Sequence, residues 1–411
     1  MTNQIIADDL FAGSGGWDLA AQSLGIHARG VETNEHARAT REKAGLTTIH
    51  DDVWTFAPDG LASLLIASPP CQTFSQAGSG SGRKALNDVL EVMQFVPDMT
   101  LAQLRKQGET FGDDRTSLVL TPLWYALHHD NYRMLAWEQV PTVLPVWEAC
   151  AEILRAHGWN VWTGKMYSEQ HGTPQTRTRA VLLASRDHEV GEPVATHSRY
   201  YPRDRSRLDE GVLPFVSMAD ALDIDGAFEI VSNYGTWGDP EARGVRTGSQ
   251  PAATVTSKVG RNKVRFAGAG RTSVDTAGQV QRTLDKPAHT ITGKGTAAWV
   301  IDRAEATTPD GRPRFAQQSD NEPDYGWPDR RPSTTVAGRD IVQAPGATAN
   351  RFNGSTKSRN DGVRVSVSEA GVLQGFPADY PWQGNSGDQY LQAGNAIPVQ
   401  MARAALKEVL S

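Results

Sequence analysis

The chain of 411 residues carries 41 Lys+Arg against 47 Asp+Glu, a formal charge of −6, with 39% hydrophobic residues and two cysteines. That length allows two or three domains, and Cys71 and Cys150 can make neither a disulfide framework nor a structural zinc site. Mean hydropathy is −0.45, the stretch 61–67 is far short of the ~18 apolar residues of a membrane span, and Met1-Thr2-Asn3-Gln4 lacks the basic start of a secretory leader; a cytoplasmic protein is expected.

Residues 5–11 read as a strand, followed by helical spacing at 17–24, a strand at 27–32 and a helix at 37–44. Between the first strand and helix lies Asp9-Leu10-Phe11-Ala12-Gly13-Ser14-Gly15-Gly16, where glycine lets the backbone turn tightly and approach a ligand. Glu32 ends the second strand, where a carboxylate can take both ribose hydroxyls of a nucleoside. Asp51-Asp52 ends the third unit and is suited to an adenine amino group. No Walker lysine follows the glycines, so a nucleoside cofactor without a pyrophosphate fits better than a triphosphate.

A buried strand at 61–67 ends in Ser68-Pro69-Pro70-Cys71-Gln72-Thr73-Phe74-Ser75. The C-terminal ends of strands are where open α/β sheets place their chemistry. Cys150 shares a helix face with Trp147, Ala151 and Leu154 and reads as a buried small hydrophobe; Cys71, among Pro, Gln, Thr and Ser, does not. A helix at 121–128, a strand at 132–137 ending in Trp137-Glu138-Gln139, a helix at 143–157 and strands at 160–167 and 180–184 follow. Strand and helix alternation predicts a Rossmann-like, mostly parallel sheet with helices on both faces. Gln175-Thr176-Arg177-Thr178-Arg179 precedes the last strand, and alternation puts Gln175, Arg177 and Arg179 on one side. Two arginines there call for an acidic or phosphate partner, or a structural salt bridge.

After Arg186 the texture turns to Pro, Gly, Thr and Arg until about Gly362. Such a length is too great for a structureless loop, so 196–360 is expected to be a small β-rich domain inserted in a catalytic domain of 1–195 plus 361–411. The insert holds 23 Lys+Arg against 19 Asp+Glu, the remainder 18 against 28, which fits phosphate binding by one domain or a local excess of surface arginine. It repeats Pro251-Ala-Ala-Thr-Val-Thr-Ser-Lys258 as Pro287-Ala-His-Thr-Ile-Thr-Gly-Lys294 and Pro332-Ser-Thr-Thr-Val-Ala-Gly-Arg339. Each copy is a strand-turn ending in a cation; the repeat is structural, or Lys258, Lys294 and Arg339 touch a DNA backbone. Helical patterns return at 366–374 and 398–409.

These segments resemble the cytosine-C5 DNA methyltransferase family. The glycine turn is similar to its cofactor motif and Ser-Pro-Pro-Cys to its catalytic motif. Glu138-Gln139-Val140 is similar to its Glu-Asn-Val with Gln for Asn. Gln-x-Arg-x-Arg matches at 175–179, and Gln392-Ala393-Gly394-Asn395-Ala396-Ile397-Pro398 resembles its last motif. Five matches occur in the family's order. The resemblance implies a class I methyltransferase fold of seven strands, S-adenosylmethionine as cofactor, and double-stranded DNA as partner. The cofactor would be held by Phe11, Ala12, Gly13, Gly15, Gly16, Glu32, Asp52, Pro70 and Asn395. Cys71, Glu138, Arg177 and Arg179 would be catalytic, on a cytosine flipped from the duplex. Gln76 to Arg83, with Gln76 and Arg83 on DNA, is similar to a mobile loop that closes over it. No metal is implied. A monomer is expected, accompanied by a restriction endonuclease without a stable complex. A tRNA cytosine methyltransferase, a relative transferring another group, and a silent DNA-binding protein are the competing readings; retention of Cys71 and Glu138 argues against the last.

Overall fold

The computed structural model describes residues 4–70, 80–111, 113–201, 203–204, 206–222, 228–231, 245–255, 263–266, 336–337, 341–342 and 363–411. The first half runs β1 (Ile6–Leu10), α1 (Gly16–Gln22), β2 (His27–Val31), α2 (Glu35–Lys43), β3 (Thr47–His50), β4 (Leu64–Ala67) and α3 (Gly80–Met93). It continues through α4 (Leu101–Gly108), α5 (Thr121–His128), β5 (Met134–Gln139), α6 (Leu144–Ala156), β6 (Asn160–Tyr167) and β7 (Thr178–Ser185). These strands form one sheet in the order β3-β2-β1-β4-β5-β7-β6. The first five are parallel, and β7 runs antiparallel to both β5 and β6.

Alternation along β4 explains why both faces are covered. Leu65 and Ala67 enter a core with Leu10, Trp137 and Leu182 under α3 to α6. Leu64 and Ile66 enter the opposite core with Ala7, Val181 and Leu183, under α1 and the last helix. Cys150 is fully buried beside Trp147, Ala151 and Leu154, and burial pushes its thiol well up, as expected of an inert packing residue. The strand expected at 61–67 begins only at Leu64; Leu61 lies outside the sheet with 64% of its surface exposed. Residues 80–83, expected in a loop, instead open α3: Leu86, Val89, Leu90 and Met93 recur at helical spacing and pack on the first core. Residues 91–113 extend that same face. Leu104 of α4 is buried, and Trp124 Nε1 donates to the Met99 carbonyl at 2.7 Å.

Beyond β7 come α7 (Met218–Leu222) and an antiparallel sheet of β8 (Phe228–Val231), β9 (Val245–Thr247), β10 (Lys263–Phe266) and a later strand. A two-residue pair, β11 (Val336–Ala337) and β12 (Ile341–Val342), follows, then β13 (Val363–Arg364), which completes the sheet in the order β13-β10-β8-β9. The chain ends with α8 (Val367–Leu373), α9 (Ser386–Asn395) and α10 (Val399–Leu410). α8 and α9 each start with a capping box, Ser366 with Glu369 and Asn385 with Asp388. Among the described residues no helix is long and apolar enough to cross a membrane.

Glu169, in the turn after β6, is 3% exposed, and burial pushes its carboxyl from 4.5 up to about 7, against the lowering pull of Arg199 and Arg246. A carboxyl raised on folding adds stability that is full below about 4.5 and is lost as the pH climbs through about 7. Urea unfolding of the wild type should therefore weaken between pH 5 and pH 8, by no more than about 3 kcal/mol. Glu169→Gln should remove that slope; an unchanged slope would place the titrating group elsewhere.

Candidate active site

The turn from β1 to α1 is built from left-handed backbone. Phe11 has φ 62°, the one non-glycine with positive φ among the described residues, and Gly13 and Gly15 have φ 54° and 101°. L-residues adopt this region at a cost, and here it falls at Phe11, which is half-buried and packs against the edge of the first core. A Cβ on Gly15 would collide with Leu46, and one on Gly16 would lie 2.6 Å from the Ile397 carbonyl oxygen. A Cβ on Gly13 would meet nothing closer than 4.0 Å, so that backbone faces open space. Gly13 N–H donates to Glu32 Oε2 and Asn34 N–H to Glu32 Oε1, both at 2.7 Å. Glu32 N–H in turn donates to the His50 carbonyl at 3.1 Å. Asp52 is half-buried two residues on, its carboxylate accepting the Trp54 N–H at 2.9 Å. A buried carboxylate bonded to an open glycine backbone, with a half-buried aromatic ring two residues before that glycine, is a donor and acceptor set that fits a nucleoside such as the adenosyl part of S-adenosylmethionine.

The second part of the site lies at the ends of β4 and β5, which are adjacent through the pair Ala67 and Trp137. Glu138 is 5% exposed, and its Oε2 lies 3.1 Å from Arg179 Nε. The pair is electrostatic, since that oxygen accepts no aligned hydrogen bond. Gln139 Nε2 donates to the Pro69 carbonyl at 2.6 Å, and Gln139 Oε1 accepts the Val140 N–H. Trp17 Nε1 donates to Ser68 Oγ at 2.9 Å. The two residues before Pro70 are thus held from α1 and from β5. Cys71 and Gln76 lie outside the described residues, as does the side chain of Arg83.

Gln175, Arg177 and Arg179 take different partners. Gln175 Nε2 donates to the Leu373 carbonyl at 3.0 Å and its Oε1 accepts the Val255 N–H at 2.7 Å. Arg177 is 2% exposed and Nη1 donates to the carbonyls of Val255 at 2.7 Å and Gly394 at 2.9 Å. Its partners thus include main-chain carbonyls where an acidic group was expected. The first repeat copy pairs here too, Ala252 N–H with the Pro174 carbonyl at 2.8 Å and Thr176 N–H with the Ala252 carbonyl at 2.7 Å. Lys258, Lys294 and Arg339 lie outside the described residues. Asn395 ends α9 with an exposed side chain, and the residues after it fold back onto Gly16.

Sequence reasoning missed Trp17, Gln139 as an anchor, and a buried ion pair, Asp18 with Arg41. One signal was readable: Asp18 falls between Trp17 and Ala21 on the apolar side of α1, where a carboxylate requires a cation.

Strand order, the β1 turn and the acidic end of β2 define a class I methyltransferase. The C-5 cytosine-specific DNA methylase family matches residues 5–95 and 144–411, and the chain belongs to that family, which implies S-adenosylmethionine as methyl donor and cytosine in DNA as substrate. The structure of S. pombe Dnmt2 methyltransferase is similar over 99% of this chain and 98% of its own, at 16% identity and TM-score 0.52, which supports the fold. A Spodoptera frugiperda DNMT2 mutant aligns over 99% and 100% at 14% identity and TM-score 0.49. An Entamoeba histolytica methyltransferase, EhMeth, aligns over 100% and 98% at 13% and 0.48. No curated protein sequence matches the chain.

Because the atom nearest a new Cβ at Gly16 is backbone, Gly16→Ala should cost about 1–3 kcal/mol of unfolding free energy by urea titration. A midpoint equal to the wild type would mean that the contact between α1 and the Ile397 segment has slack.

Proposed function

We propose that the protein methylates C5 of a cytosine flipped out of double-stranded DNA at a defined sequence, through a covalent bond from Cys71 to C6. The observation that carries this reading is a buried carboxylate, Glu138, at a strand end adjacent to the one that leads into Ser68-Pro69-Pro70-Cys71. A thiolate at Cys71 adds to C6, and the electron pair of the C5–C6 double bond moves toward C5 and the ring carbonyl. Glu138, entering the step as the acid, gives its proton to N3 and accepts from the exocyclic amine, stabilising the charge that develops, and takes the proton back when Cys71 leaves. Arg179 orients Glu138 and approaches the base at O2. S-adenosylmethionine, when bound, supplies the methyl group taken up by C5. A base then removes the C5 proton, the C5–C6 double bond reforms, and Cys71 leaves as thiolate.

Phe11 stacks on the adenine, Glu32 takes the ribose hydroxyls and Asp52 the adenine amino group. Ala12, Gly13, Gly15 and Gly16 give the backbone wall, with Pro70 and Asn395 at its rim. The insert of 196–360 reads the DNA sequence, with Lys258, Lys294 and Arg339 on phosphates and Gln76 and Arg83 approaching from the catalytic side. Arg177 ties that insert to the catalytic domain. The protein acts as a cytoplasmic monomer.

Duplex DNA should accept methyl groups and tRNA should not. Cys71→Ser should abolish transfer while cofactor binding persists. Duplex DNA bearing 5-fluorocytosine should trap the wild type covalently, because fluorine replaces the proton that must leave. An active enzyme that forms no adduct, or one mapped to Cys150, would refute the mechanism. Glu32→Ala and Asp52→Ala should each weaken S-adenosylmethionine binding by ~1.5–3 kcal/mol, the range for a hydrogen bond to a charged group; calorimetric affinities equal to the wild type in both would remove the cofactor assignment.

A further inference from the structure

Arg41 of α2 is fully buried, yet it belongs to no motif. Its guanidinium grips the Asp18 carboxylate with two bonds, Nη1 at 2.7 Å and Nη2 at 2.8 Å. Nη2 also donates to the Thr47 carbonyl at 2.8 Å, Nε to Thr48 Oγ1 at 2.9 Å, and Nη1 to the Ala12 carbonyl at 3.4 Å. A guanidinium has five N–H donors, and all five point at acceptors from α1, β3 and the cofactor turn. The group lies against β2 at Gly30, where a Cβ would collide with Nη2.

The bond to Ala12 acts at a distance. Its carbonyl and the Gly13 N–H belong to one planar trans peptide unit, so fixing one end fixes the direction of the other. The carbonyl is held by Arg41 and by the Gly15 N–H at 3.2 Å. The N–H is then aimed at Glu32 Oε2. We infer that Arg41 is a positioning residue for cofactor binding, which orients the Glu32 carboxylate through the peptide unit joining Ala12 to Gly13. The inference rests on the reading of Glu32 as the group that takes the ribose hydroxyls.

The charges around the guanidinium allow a clean test. Asp9 is buried as well, and burial, then the Asp18 charge, holds its carboxyl well above the usual range. Asp18 makes both charge-assisted bonds to Arg41. Exchanging Asp18 and Arg41 together for apolar residues of similar size strands neither member of the pair, and such exchanges of buried ion pairs are commonly tolerated.

The experiment compares calorimetric binding of S-adenosylhomocysteine with that of its analogue lacking the 2′ and 3′ hydroxyls. The wild type should prefer the hydroxylated ligand by about tenfold or more, as expected for hydrogen bonds to a carboxylate. In the double variant Asp18→Leu with Arg41→Met the preference should fall to about one- to twofold, the loss coming from the hydroxylated ligand alone. If the preference survives while both ligands weaken equally, Arg41 only supports the fold and the inference fails. Arg41→Lys, which keeps the charge but cannot reach Asp18 and Ala12 together, serves if the double variant does not fold, and carries the same expectation. A wild type with no preference would instead remove the ribose reading of Glu32.

Discussion

Where the turn from β1 enters α1, Gly15 and Gly16 have no room for side chains, and the molecule closes around that shortage. Gly15 is covered by Leu46 and by the hydroxyl of Tyr380, Gly16 by the Ile397 backbone, and Gly30 by the Arg41 guanidinium. Tyr380 also donates to the Ser14 carbonyl. Two of these partners, Leu46 and Arg41, come from the first fifty residues, and two, Tyr380 and Ile397, from the last thirty-two. The turn can reach its final geometry only once the chain has returned from the insert. A third core marks that return, because it joins Met218 and Val255, within 196–360, to Val365, Leu373, Phe376, Tyr380 and Trp382, which follow. Completion of a cofactor surface at one end of the sequence is therefore tied to packing at the other.

What could be read beforehand follows from local physics. Strand ends, helix spacing and the glycine turn depend on near neighbours, and β1, β2, α5, β6 and the Cys150 face lie where residue spacing puts them. Roles set by distant partners could not be read that way. Arg177 lies in the same short segment as Arg179, yet one reaches Val255 and Gly394 and the other Glu138. Alternation places side chains on a face and says nothing about which element will arrive there. α9 escaped for another reason: Gly387 and Gly394 lower its helical propensity, and the capping box at Asn385 with burial of Tyr390, Gln392 and Ala393 restores it. α3 and α4 were masked by glycines and by a long gap between motifs.

The joint at Gln175 and Arg177 gives physical meaning to a motif that looks like a catalytic one. The Gln175 amide uses both ends, accepting from Val255 and donating to Leu373 and Gln374. Arg177 adds Gly394, in the segment that returns to the glycine turn. Gln175 and Arg177, just before β7, thereby hold the first repeat copy at Val255. Arg246 extends the joint, over the ring of Tyr200 and within reach of Thr176 Oγ1 at 3.3 Å. Under the proposed function, in which the insert reads DNA, the bases must be presented at a fixed offset from the chemistry, since a displacement of an ångström at the reacting atoms costs orders of magnitude in rate. Buried hydrogen bonds of this density hold such an offset better than a flexible linker does.

The same requirement explains the bonds on Ser68 and Pro69. A nucleophile that follows two prolines gains rigidity from ring closure, because proline fixes φ and donates no N–H. Rings alone leave the orientation of the segment open. Ser68 N–H continues the sheet by donating to the Leu10 carbonyl at 3.1 Å, Trp17 holds its hydroxyl, and Gln139 holds the next carbonyl. Leu10 and Trp17 flank the glycine turn, and Gln139 follows Glu138. The backbone leading to Cys71 is therefore tied both to the glycine turn and to the strand end that carries Glu138. With the family's usual asparagine, one methylene shorter, the side chain at 139 would need a closer approach of β5 to make the same bond; the glutamine spans the separation that this pair of strands presents.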